Sequence, residues 1–188
     1  MIPYTATRRE DTGVTNVTMG IWLFLASEVM LFGALFSSYA LLRVAAPQWP
    51  SGADVLSLLL GSANTVVLMV MTGAIWRARS AEWQSAKRLL IVGCALAVVF
   101  LGIKAAEYSA EIRQGFVPSV NTFFATYFTL TGLHALHVIG GLFANLWAMN
   151  GVRRVGADMT AGRVRALSLC WVFVDLVWLI IFVLFYLS

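Results

Sequence analysis

Five blocks of apolar residues alternate with short polar stretches along the chain, near 17–42, 55–76, 89–108, 121–149 and 166–187. Each reaches the length of about 20 residues that an α-helix needs to cross a hydrocarbon core of about 30 Å. None alternates apolar and polar residues with the period of two expected of barrel strands. The pattern predicts an all-α, polytopic integral membrane bundle of five transmembrane helices, forming one membrane domain over 1–188. The connecting stretches are short. Residues 43–54 hold Pro47, Pro50 and Gly52, a combination that cannot continue a helix. Residues 1–16 read as a polar tail carrying Arg8, Arg9, Glu10 and Asp11. The first block is longer than the apolar core of a signal peptide and contains Glu28, so it is expected to be a retained span.

Composition agrees with this pattern. Of the 188 residues 60% are hydrophobic and 12% charged, against about 25% charged in soluble domains. A soluble enzyme domain, a disordered chain and a secreted disulfide scaffold are excluded. Cys94 and Cys170 stand alone in separate apolar blocks, with no CxxC pair. The 13 basic residues exceed the 9 acidic ones, and their distribution reports orientation rather than nucleic-acid binding. Ten lie in the tail, in 77–88 and in 150–165, and Arg43, Lys104 and Arg113 fall on the other side. The positive-inside rule predicts a cytoplasmic N-terminus and a periplasmic C-terminus.

Ionisable residues at membrane depth cost about 2.5–3.5 kcal/mol each on insertion scales, so each needs a reason. Counting the rise from the nearer block end places Glu28 about 15 Å deep, Asp175 about 14 Å and His137 about 18 Å, with His134 one turn further out. Two readings stand. One is a buried acid–histidine cluster of Glu28, His134, His137 and Asp175 that tunes protonation, holds helices in register, or touches a lipid or partner. The other is a set of unrelated interhelical hydrogen bonds, worth about 0.6–2 kcal/mol each in membranes. His134 and His137 share a helix face, but nothing in the spacing supplies a third metal ligand. Two histidines on one helix also cannot ligate a haem from both sides. No metal, haem or copper site and no catalytic residue is expected on this chain. Lys104, Glu107 and Glu111 follow i, i+3 and i+7 spacing. They are expected to form an interfacial ion pair, Lys104 with Glu107, with the Lys104 ammonium snorkelling to the headgroups. Tyr39, Trp49, Trp76, Trp83, Tyr108, Trp147 and Tyr186 fit an interfacial aromatic belt, and Trp171 and Trp178, seven apart, are expected to meet a partner or a lipid.

Three stretches resemble subunit III of haem–copper oxidases. Phe24-Leu-Ala-Ser-Glu28-Val-Met-Leu-Phe is similar to that family's first motif. Ala106-Glu107-Tyr108, Phe123-Phe124 and Thr131-Gly132-Leu133-His134-Ala135-Leu136-His137-Val138 are similar to its second. Trp171-Val-Phe-Val-Asp175-Leu-Val-Trp178 is similar to its third. They occur in the family's order on three separate spans. The resemblance implies a non-catalytic subunit of a terminal respiratory oxidase (cytochrome c or quinol) in the bacterial cytoplasmic membrane. It implies packing on subunit I, which carries the haems and copper, and contact with subunit II. It also implies structural phospholipid and a role in sustaining proton uptake and stability during turnover. The five spans resemble the short form found in bacterial quinol oxidases and in the accessory protein of nitric oxide reductase, which is an alternative role. An independent small proton-conducting transporter is a third. Two positions depart from the family's pattern: Val172 replaces a histidine and Ala135 a frequent glycine.

Overall fold

A computed structural model describes residues 13, 15–155 and 157–188, with backbone alone for 151–161. The charged residues of the expected tail and the side chains of Arg153 and Arg154 lie outside the described residues. Among the described residues six helices follow in order: α1 (Asn16–Ala45), α2 (Gly52–Val55), α3 (Leu58–Ala78), α4 (Trp83–Arg113), α5 (Thr122–Val155) and α6 (Ala157–Tyr186). Five contain segments long and apolar enough to cross a bilayer: α1, α3, α4, residues Thr122–Asn150 of α5 and Gly162–Tyr186 of α6. The chain is a five-span membrane bundle.

Local chemistry sets the helix ends. Thr15 caps α1, its Oγ1 accepting from the Thr18 amide at 3.2 Å. Ser57 and Asn121 do the same for α3 and α5, accepting from Leu60 and Phe124. At the end of α4, Gly115 takes a φ of 85°, a left-handed conformation that glycine adopts without steric cost. This lets the Phe116 amide reach the Glu111 carbonyl at 2.9 Å and the Gly115 amide reach Ile112 at 3.0 Å, a Schellman closure. The helices outrun the apolar blocks because their polar ends keep their hydrogen bonds beyond the hydrocarbon. α4 covers 31 residues, where the hydrophobic pattern marks only 89–108.

The stretch 43–54 also differs from expectation. α1 continues to Ala45, and one helical turn, α2, forms at Gly52–Val55. The Gly52 amide donates to the Ser188 carbonyl at 3.0 Å, tying this turn to the chain's end. A Cβ at Gly52 would lie 1.5 Å from the Phe185 carbonyl oxygen, so only glycine fits.

α6 is the central helix, packed against α1, α2, α3 and α5, while α3 pairs with α4 and α4 with α5. Contacts between Asn145 and Trp171, His134 and Trp178, and Tyr127 and Tyr186 run in opposite order along the two helices, so α5 and α6 are antiparallel. Leu68, Met71, Ile75, Leu90, Phe100 and Ile181 fill the centre. Trp178 belongs to this core rather than facing a partner or lipid, at 0% exposure; Trp171, at 1%, is buried as well and also lines a groove between α1, α5 and α6. Their indole N–H groups donate to Asn145 Oδ1 and Thr65 Oγ1. α1 is the outermost span. It buries Leu25, Phe32 and Tyr39, a stripe at seven-residue intervals, and leaves Met30, Leu41 and Val44 outward. So much exposed apolar surface suits hydrocarbon surroundings and would be an aggregation hazard in water.

Candidate functional site: two buried polar centres

The first centre joins α1 to α5. Glu28 Oε2 lies 2.8 Å from His137 Nε2, and the ring's other nitrogen, Nδ1, lies 2.8 Å from the Leu133 carbonyl. A carbonyl only accepts, so Nδ1 must carry a hydrogen. The contact at Nε2 then needs one further proton, held either by the carboxyl or by the imidazole. The pair is electrically neutral in both arrangements, which limits the cost of placing it at membrane depth. The edge of the Phe32 ring covers the imidazole at a centroid distance of 5.1 Å, and Phe173 packs behind Phe32.

His137 also lines an apolar groove of about 370 Å³ between α1, α5 and α6, with walls that include Phe24, Gly141, Leu167, Trp171 and Val174. Leu136 and Phe24, at its rim, are exposed. The groove's shape depends on Gly141, where a Cβ would lie 2.6 Å from the Trp171 ring. Gly141→Ala is expected to push the indole outward, lengthen its bond to Asn145 and narrow the groove. Trp171 fluorescence in the purified protein checks this; an unchanged emission maximum and intensity would mean that the ring has room to absorb the methyl group.

The second centre lies toward the end of the bundle where α4 finishes. Lys104 is 2% exposed, so the expected snorkelling to the headgroups does not occur. Its ammonium stays inside because all three N–H groups find acceptors there: Glu107 Oε2 at 2.8 Å, Tyr127 OH at 2.7 Å and Tyr186 OH at 2.7 Å. Each tyrosine passes its own hydrogen to a carboxylate, Tyr186 to Glu107 Oε1 at 2.7 Å and Tyr127 to Glu111 Oε1 at 2.9 Å. The rings of Tyr108, Tyr127, Trp178 and Tyr186 surround the cation at 4.7–5.4 Å. Three spans, α4, α5 and α6, therefore meet on one ammonium. The expected pairing of Lys104 with Glu107 is present as a buried contact rather than an interfacial one.

The four residues expected to cluster do not form one site. Glu28 and His137 meet. His134 is fully buried on another side of α5, between Phe100 and Trp178, and neither ring nitrogen has a hydrogen-bond partner. Asp175 faces the hydroxyl of Thr72 on α3 instead of joining Glu28 and His137. The three-residue spacing of the histidines sets their rings about 60° apart around the helix, enough to face different neighbours. Among the described residues, no three His, Cys, Asp or Glu side chains converge as a metal site. Sequence reasoning missed Tyr127 and Tyr186 as partners of Lys104. Tyr186 and Tyr39, both expected in the aromatic belt, are buried, while Trp76 and Trp147 are exposed as a belt requires.

The family model for cytochrome c oxidase subunit III matches residues 7–188. The chain belongs to the cytochrome c oxidase subunit III family. It is 33% identical over 177 residues to the cytochrome bo(3) ubiquinol oxidase subunit 3 of Pseudomonas aeruginosa, covering 92% of this chain and 85% of that protein. It is 31% identical over 175 residues to the cytochrome c oxidase subunit 3 of Thermostichus vulcanus, covering 89% and 85%. The heme-copper oxidase subunit I+III of Aeropyrum pernix is 29% identical over 186 residues, covering 92% of this chain and 23% of that longer protein. The chain is a multi-pass membrane protein whose two polar centres are both built between spans.

Proposed function

We propose that this subunit III is a non-catalytic flank of a terminal oxidase in the bacterial cytoplasmic membrane. It packs on the haem- and copper-bearing subunit I, with subunit II in the same complex, and holds phospholipid while sustaining proton uptake during turnover. Its N-terminus faces the cytoplasm, as its loop charges favour. The Aeropyrum relative, named for subunits I and III in one protein, supports a direct partnership with subunit I. The observation that carries the functional reading is the neutral Glu28–His137 pair set beside an apolar groove. The groove's lining suits a hydrocarbon chain. The pair shares one proton between two atoms, so that proton can move from one to the other without placing net charge against lipid.

The test is Glu28→Gln in the assembled oxidase. A glutamine keeps the shape and can still hydrogen-bond the imidazole, but it removes the acidic proton. The initial oxygen-reduction rate is expected to stay within about twofold, because no reacting atom is touched. The enzyme is expected to inactivate several-fold sooner during turnover and to retain fewer phospholipids by mass spectrometry. An unchanged turnover lifetime together with an unchanged lipid count would remove the role of the pair. Co-purification with nitric oxide reductase subunits, or proton flux through this chain alone in liposomes, would replace the oxidase reading with the accessory or transporter role.

A further inference from the structure

A second cavity lies away from both polar centres, at the turn joining α3 to α4. It measures about 660 Å³ and is lined by Arg77, Ser80, Glu82, Ser85 and Arg88, with apolar Leu89 at its side. The two arginines come from different spans, one from the last turn of α3 and the other from the second turn of α4. Neither guanidinium has an ion-pair or hydrogen-bond partner. The polar residues of the cavity's lining are all exposed, and among the described residues Glu82 is the one acid that lines it. The start of α4 adds polarity of the same sign as the arginines. Its cap residue, Glu82, makes no side-chain cap bond, so amides of the first turn remain open. A third guanidinium, Arg79, stacks on Trp76 at 3.8 Å, and Lys87 is exposed nearby. Trp76 is itself exposed, as expected of an indole at the level of the lipid headgroups.

We propose that this turn is a binding site for the phosphate of an anionic phospholipid headgroup. Arg77 and Arg88 grip the phosphate from the two spans, and Ser80 and Ser85 supply hydroxyl donors. Guanidinium forks match phosphate oxygens in pairs. The headgroup level of a membrane is also where basic side chains between spans recognise anionic lipids. A lipid source fits better than free phosphate because Trp76, next to Arg77 and exposed, and the half-buried Leu89 in the lining offer apolar surface that favours the acyl region below the headgroup. The site is separate from the groove beside His137, so its fate does not depend on the role assigned to Glu28.

The experiment is native mass spectrometry of the full chain in mild detergent, titrated separately with phosphatidylglycerol, phosphatidylcholine and inorganic phosphate. The expected result is one saturable phosphatidylglycerol that resists a large excess of inorganic phosphate, with phosphatidylcholine binding much weaker. A basic residue at the membrane surface contributes about fivefold in affinity. Arg77→Gln and Arg88→Gln should therefore each weaken this binding about fivefold, and the double variant about twenty-five-fold. Glu82→Gln should strengthen it by a similar factor, a gain that misfolding cannot mimic. Equal affinity for phosphatidylglycerol in the wild type and the double variant would overturn the site. Parity between phosphatidylglycerol and phosphatidylcholine would overturn the anionic assignment. Ready displacement of the lipid by inorganic phosphate would overturn the lipid assignment in favour of a free-anion site.

Discussion

Lys104→Met is expected to destabilise the folded bundle by about 3–5 kcal/mol, the cost of removing one partner from a buried ion pair. Methionine matches the length of the lysine stem, so little packing is lost. What changes is electrostatic. Glu107 and Glu111 would remain buried with no cation between them, and the hydroxyls of Tyr127 and Tyr186 would each lose a donor at 2.7 Å. Unfolding in mixed micelles at increasing denaturing detergent measures the effect. The double variant Lys104→Met with Glu107→Gln should recover part of the loss, because it removes an orphaned charge along with its counter-ion. A loss below about 1 kcal/mol for Lys104→Met would mean that the ammonium resides at the surface in solution, as the length of its stem alone allows.

The contrast between the two expectations for Lys104 shows where sequence reasoning stops. The five spans are legible because hydrocarbon thickness imposes a length and a composition that can be counted along the chain. The Lys104–Glu107 pairing is legible too, because i and i+3 residues adjoin on any helix. The burial of that pair is not. It depends on Tyr127, 23 residues away, and Tyr186, 82 residues away, and no local rule sets which face of a span a tyrosine occupies. Tyr186 near a block end reads equally well as a belt residue or a core residue, and only packing against α3 and α5 decides it. The same applies to Glu28 and His137. Counting depth places them at one level, but it places Asp175 there as well. Azimuth around each helix, set by neighbours far off in sequence, selects His137 and excludes the others. The one-turn helix α2 escaped detection because it is held by a bond to Ser188 at the other end of the chain.

The second polar centre also explains the small residue on α3 that faces it. Gly61 is buried, and a Cβ there would lie 2.6 Å from two atoms of the Tyr186 ring. Whether an added methyl group is tolerated depends on whether that ring can move. Three hydrogen-bond partners restrain it: the hydroxyl accepts from Lys104, donates to Glu107 and lies 3.2 Å from that of Tyr127. Shifting the ring by the several tenths of an ångström required would stretch the bonds that satisfy the ammonium. Gly61→Ala is therefore expected to cost about 1–3 kcal/mol, the range for overpacking a core that cannot relax. The diagnostic measurement is a double-mutant cycle with Tyr186→Phe. Removing the hydroxyl is itself destabilising, since Lys104 and Glu107 each lose a partner. It also frees the ring to shift away from α3. The cost of Gly61→Ala should then fall by at least half in the Tyr186→Phe background, a coupling in the range seen for residues in direct contact. Equal costs in both backgrounds would show that the α3 backbone moves instead of the ring, and that the ammonium does not fix the position of α6 against α3.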